Sequence, residues 1–276
     1  MTNINFNSRR SPVYSKHGIV ATSQPLATAA GLEVLAKGGN AADAAVAAGA
    51  ALNVTEPTST GIGGDMFALY FSADTKRVTA LNGSGRAPSA LTLDRLKTDG
   101  FASSIPPFHP YTVTVPGACA GWCDLIQKHG SLSMSEILAP AIRLARDGFP
   151  VAPITSYFWG RGVERQLKSA LNGHELTIDG RGPRAGEIFR NPGLARTFET
   201  VAEGGASAFY QGEIAESIVN VLKEAGGCMS ADDLASHTST WRNRSRWIIA
   251  AIESHECPPN GCGHRGVDRV EHPRRV

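Results

Sequence analysis

Apolar residues along this chain recur mostly at helical spacing, broken by one clear stretch of strand-type residues. Residues 19–21 form a short apolar run that reads as a strand. Ser23 can then cap a helix with Pro25 in its first turn, and Leu26, Ala29, Ala30, Leu32, Val34 and Leu35 give it an apolar side. Gly38 and Gly39 stop it, and Asn40 starts a second helix with Asp43 in the first turn, where a carboxylate favours the positive helix end. The second helix is nearly all alanine and glycine, which predicts burial against close neighbours. Residues 66–71 and 77–81 carry the aromatic or β-branched Phe67, Tyr70, Phe71, Val78 and Thr79 around a turn at 74–76, the pattern of a hairpin. A Pro/Ser-rich loop over 88–116 follows, with one short helix near 93–97. Further helices are predicted over 135–146, bent at Pro140, from Asn191 with Pro192 to Gly204, and along the stripe Ile214, Ile218, Val221 and Leu222. Ser230 caps a short acidic turn at Asp232 and Asp233. After Trp241 the periodicity fades. Residues 242–276 hold seven arginines and no lysine.

Composition narrows the class. A hydrophobic share of 42% and a charged share of 19% in 276 residues are those of a globular protein with a sizeable core. A net charge of +2 is too small to argue for nucleic acid or an acidic membrane, and the arginine-rich tail lacks the interleaved aromatics of a nucleic-acid module. No apolar window reaches membrane-spanning length, and the polar N-terminal eighteen residues lack an apolar signal core. Five cysteines without a leader read as reduced thiols, so a cytoplasmic location is expected.

Candidate chemistry concentrates between Thr55 and Pro88. In Gly61-Ile62-Gly63-Gly64 the backbone can approach an anion closely; the same residues suit a tight turn before the hairpin. No dinucleotide or Walker fingerprint is present. Arg86, among the small residues Gly83, Ser84, Gly85 and Ala87, has room for a bidentate pair with a carboxylate, or to stand in solvent. No G-x-S-x-G elbow occurs. Cys119 and Cys123, four apart beside Trp122, read as core. His109 and His129 read as solvated or capping. Cys257, Cys262, His264 and His255 match no common zinc spacing, so no metal is expected.

Together these residues resemble a family. GIVATSQPLATAAGLEVLAKGGNAADAAVA, TEPTSTGIGGDMF, the run over 112–151 and the run over 208–237 are similar, in order, to the large-subunit region of γ-glutamyltransferases (γ-glutamyltranspeptidases), across most of residues 15–241. The resemblance implies an α+β fold, the large-subunit part of an N-terminal-nucleophile hydrolase αββα sandwich, incomplete by itself. It also implies a γ-glutamyl or related amide substrate of the glutathione type, a small-subunit chain carrying the nucleophilic threonine, and no metal or organic cofactor. Arg86, Ser84, Gly63 and Gly64 are the expected substrate-binding positions.

Three departures stand out. The family arginine precedes the proline of its Ala-Pro pair by four residues, which here is Ser84, so Arg86 is displaced by two; the GSGRAP form resembles an acylase-like subgroup. The processing threonine followed by Thr/Ser and His is absent: neither Thr58-Ser59-Thr60 nor Thr238-Ser239-Thr240 fits, so no catalytic residue is assigned and the chain alone is expected to be inactive. The pattern also lapses over 242–254, returns in HECPPNG (255–261) and lapses again, so residues 242–276 are expected to be an off-pattern basic tail, with 242–254 and 262–276 out of frame through frame slips or a mis-spliced message; the alternative is a divergent basic tail. A chain of this kind would expose strand edges and apolar faces, and marginal stability or dependence on a partner chain is expected. The alternative reading is a non-catalytic ligand-binding or subunit module.

Overall fold

The computed structural model describes residues 11–242, and the backbone of 245–249 and 252–256. Helix α1 (Pro25–Ala36) begins with Pro25 in its first turn, but its cap is Gln24, whose Oε1 accepts from the N–H groups of Leu26 (2.5 Å) and Ala27 (3.2 Å). Ser23, the expected cap, instead donates to the Glu56 carboxylate at 2.6 Å. A longer amide reached the same donors from one residue closer. Helix α2 (Ala41–Thr55) starts in a capping box: Asn40 accepts from Ala42 and Asp43, and Asp43 accepts from the Asn40 N–H. Its alanines are buried, as expected, and α1 and α2 lie side by side. Asp43 is fully buried and also receives the Ser131 N–H at 3.1 Å, tying this helix start to a loop 88 residues away.

Strands β1 (Met66–Ser72) and β2 (Arg77–Gly83) form the expected hairpin, in register from Met66 opposite Gly83 to Ser72 opposite Arg77. Short helix α3 (Leu93–Thr98) lies in the Pro/Ser-rich loop. Helix α4 (Ala118–His129) carries Cys119, Trp122 and Cys123 into or beside the core. Helix α5 (Met134–Asp147) is capped by Ser133 with Glu136, two residues earlier than the predicted start, and tolerates Pro140 in its interior.

Strand β3 (Phe149–Pro150), helix α6 (Pro153–Arg165) and strand β4 (Ile188–Phe189) follow, with β3 and β4 antiparallel. Helix α7 (Pro192–Tyr210) starts at the predicted Asn191 cap and breaks at Gly205 (φ 64°), one residue past the predicted stop; a second helical piece then reaches Tyr210. Helices α8 (Glu213–Glu224) and α9 (Ala231–Ala235) match the apolar stripe and the Ser230 cap.

Strand β5 (Thr240–Arg242) adds to β2, giving the order β1-β2-β5. It straddles the expected boundary at residue 241. Strands β6 (Ser245–Ile249) and β7 (Ile252–Glu256) form an antiparallel pair inside the segment expected to be off-pattern; residues 257–276, with Cys257, Cys262 and His264, lie outside the described residues.

The three-stranded sheet has two unlike faces. Met66, Ala68, Tyr70, Leu81 and Trp241 pack on the helical core. On the other face Phe67, Leu69 and Phe71 are 43%, 44% and 58% exposed. His129 is not a solvated histidine: its ring stacks on Tyr70 at 4.0 Å, and its Nε2 meets the Thr79 hydroxyl at 3.2 Å. Burial, then Lys128, holds its pKa below the usual value. His109 does cap, accepting the Tyr111 N–H through Nδ1.

One expected strand is absent. Residues 19–21 form no strand and pair with nothing among the described residues, and Ile19 is 58% exposed. An apolar run becomes a strand only when a partner edge lies beside it; here the neighbours are the flanks of α1 and α2. Among the described residues no helix is long and apolar enough to cross a membrane.

Candidate active site

Three backbone segments meet where α2 hands the chain to the sheet: the loop before β1, the exit of β2, and the start of α4. The loop closes on itself through the Gly64 N–H, which donates to Gly61 O at 2.9 Å. The Gly64 carbonyl then accepts from both Gly117 and Ala118 N–H, each at 2.9 Å, and so caps α4, whose N-cap Gly117 offers no side chain. The Gly64 amide is therefore committed to the turn. Gly63, with no atom within 4 Å of where a Cβ would stand, faces solvent.

The exit of β2 is gripped from both sides. Ser84 N–H donates to Asn82 Oδ1 at 2.9 Å, Gly85 N–H to Asp65 Oδ1 at 3.0 Å, and Val115 N–H to Arg86 O at 2.9 Å. A Cβ on Gly85 would stand 1.6 Å from Val115 O, and one on Gly117 2.1 Å from Gly83 O. These glycines are required by close backbone approach. The result is an exposed Arg86 side chain on a main chain fixed at both flanks, with no ion-pair partner among the described residues. Ser84 is half-buried one turn of the pleat away.

His237 stands behind this arginine. Its ring stacks on Tyr210 at 5.3 Å, and its Nε2 is buried without a hydrogen-bond partner among the described residues. Burial, then the positive charge of Arg86, lowers its pKa, while Asp124 and Asp65 pull the other way. Tyr210 locks the α4 side: its hydroxyl donates to Pro116 O at 2.7 Å and accepts from Ala120 N–H at 3.1 Å. Burial pushes the phenol well above its ordinary range, so it stays neutral. Asn53, at the end of α2, donates to the Thr60 hydroxyl at 2.9 Å, while its Oδ1 is buried and unpartnered among the described residues. Hollows of about 240 Å³ lie on either side of this contact, one lined by Asp65, Met66 and Trp122, the other by Gly63, Leu176 and Phe189.

The structure thus brings Gly63, Gly64, Ser84 and Arg86 into one neighbourhood through Asp65 and Gly117. Sequence reasoning missed Asp65, Asn53, Tyr210 and His237. Only Asp65, directly after the glycine run, carried a local signal.

The family profile described as gamma-glutamyltranspeptidase matches residues 27–267. The glutathione hydrolase-like YwrD proenzyme of Bacillus subtilis is 36% identical over 251 residues, covering 90% of this chain and 47% of that protein. The glutathione hydrolase proenzyme of the same organism is also 36% identical, over 90% of this chain and 43% of its own length. This chain therefore spans about half the length of the curated relatives it matches. Among solved structures, cephalosporin acylase from Bacillus halodurans superposes with a TM-score of 0.91 at 39% identity, covering 98% of this chain and 51% of that one. Helicobacter pylori gamma-glutamyltranspeptidase gives 0.84 at 31%, covering 93% and 74%. The fold is the α+β large-subunit region of an N-terminal-nucleophile hydrolase, and the chain belongs to the gamma-glutamyltranspeptidase family.

Proposed function

We propose that this chain forms one wall of an amidase pocket for γ-glutamyl or related amides of the glutathione type, and that it does not turn substrate over by itself. The observation that carries the reading is the Arg86 main chain, tied by Val115 and, through Gly85, to Asp65 of the glycine loop, presenting an exposed guanidinium with no ion-pair partner among the described residues. A guanidinium held in this way can take a substrate carboxylate bidentately with little further ordering. Gly63 leaves room for the substrate backbone, and Ser84 flanks it.

The attacking hydroxyl is proposed to come from a threonine-led small-subunit chain. Attack by its oxygen on the amide carbonyl forms an acyl ester and expels the amine, which takes the proton from the nucleophile's base; water or an amine then releases the acyl group. This chain's part is to bind and orient. The partly exposed face at Phe67, Leu69 and Phe71 is proposed to receive the second sheet of the αββα sandwich, supplied by that partner. The alternative of a purely ligand-binding module shares the pocket and differs in lacking any catalytic partner. Assay of γ-glutamyl-p-nitroanilide cleavage tests the proposal: no turnover is expected from residues 1–276 alone, and turnover by the purified chain would overturn it.

A further inference from the structure

A hollow of about 910 Å³ opens between α6, the loop at Thr58 and Ser59, and Phe108. Arg86 and Ser84 are not among its lining residues. Arg161 and Arg165 lie one helical turn apart on α6 and both line it. Among the described residues neither has a carboxylate partner; Glu164, which lies between them and also lines the hollow, is neutralised by Lys168 at 2.7 Å. Each arginine instead lies against a ring of the same hollow, Arg161 5.8 Å from the centre of Tyr157, to whose hydroxyl its Nη1 donates at 3.4 Å, and Arg165 5.2 Å from that of Phe108.

The rings are themselves out of place for a surface. Phe108, Tyr157 and Phe158 are 52%, 41% and 51% exposed. Phe108 holds a left-handed backbone (φ 66°), which is strained for a residue with a bulky side chain. That conformation sets its ring against Arg165 at the wall of the hollow. Two cations without a carboxylate partner among the described residues, framed by three exposed aromatic faces, are complementary to a ligand with one carboxylate and one flat or bulky apolar group.

We propose that this hollow binds small monocarboxylates carrying an aromatic or bulky apolar group, with Arg161 and Arg165 holding the carboxylate and Phe108, Tyr157 and Phe158 the apolar part. The inference does not rest on the amidase reading, because it concerns binding alone and residues that reading does not use.

Saturation-transfer NMR titration of the full chain with hippurate (N-benzoylglycine) and with its uncharged amide tests it. Hippurate is expected to bind with a Kd of about 1 mM or tighter, and the amide at least about tenfold more weakly. The R161Q/R165Q double variant, changed only at exposed or half-exposed side chains, is expected to lose the acid's advantage. Phe108→Gly, which suits the left-handed backbone and so keeps the fold, is expected to weaken both ligands. Arg86→Ala is expected to leave hippurate binding unchanged. Equal binding of acid and amide, undiminished hippurate binding in R161Q/R165Q, loss of binding in Arg86→Ala, or no saturable binding of hippurate to the unaltered chain would each overturn the proposal.

Discussion

Replacing Gly85 by alanine should loosen the Arg86 mount more than any other single methyl in the site. The added Cβ would stand 1.6 Å from Val115 O, against a comfortable C···O separation of about 3.3 Å. The two segments must therefore part by roughly 1.7 Å, the difference between those two separations. That movement breaks the Val115 N–H bond to Arg86 O and the Gly85 N–H bond to the Asp65 carboxylate. A neutral bond contributes about 1 kcal/mol and a charged one about 2 kcal/mol, so the expected loss is about 3 kcal/mol. With a urea m value of about 3 kcal/mol/M, the unfolding midpoint should fall by about 1 M. Gly63→Ala, three residues before β1 where a Cβ meets nothing within 4 Å, should stay within about 0.5 kcal/mol of the parent. A Gly85→Ala midpoint as close to the parent as that of Gly63→Ala would refute the close-approach argument.

Tyr210→Phe leaves Pro116 O and Ala120 N–H without their partner and should cost about 2 kcal/mol in urea unfolding. Asp43→Ala removes the buried acceptor that joins the start of α2 to Ser131 and should cost about 3 kcal/mol by the same assay. Asp233 is partly buried, which would raise its pKa, but bonds from Ser89 and Ser230 outweigh that and hold it at about 2. The folded value is depressed, so its stabilisation is present above the ordinary carboxylate range and is lost as pH falls toward about 2. Asp233→Asn should cost about 1 kcal/mol at pH 7 after solvent screening and flatten the acid limb of a stability–pH profile. Phe71→Lys, at the most exposed apolar position of that sheet face, should lower self-association of the isolated chain in light scattering; unchanged scattering would count against that face as a docking surface.

What could be read in the sequence was what is decided locally. The Asn40–Asp43 capping box, the hairpin and the break near Gly205 depend on neighbours within a few residues. Gln24 displaced Ser23 because two caps one residue apart compete for the same donors, a choice settled by Glu56 across the fold. Residues 19–21 failed as a strand because no edge among the described residues lies beside them. Helix α6 escaped notice because Gly160 and Gly162 interrupt a stretch whose burial depends on Trp159 packing against Phe189, thirty residues on. In the site, Arg86 and the glycine loop stood out by composition. The reason for Gly85, and the presence of His237 and Tyr210, depend on Val115, Pro116 and Ala120, which no local pattern connects to them.

The central claim is that Arg86 holds the substrate carboxylate. Isothermal titration of glutathione into the chain and into its Arg86→Ala variant tests it most directly. Saturable binding that weakens at least about tenfold in the variant, equivalent to about 1.4 kcal/mol, is the expected result. Binding of equal affinity in the two proteins would contradict it.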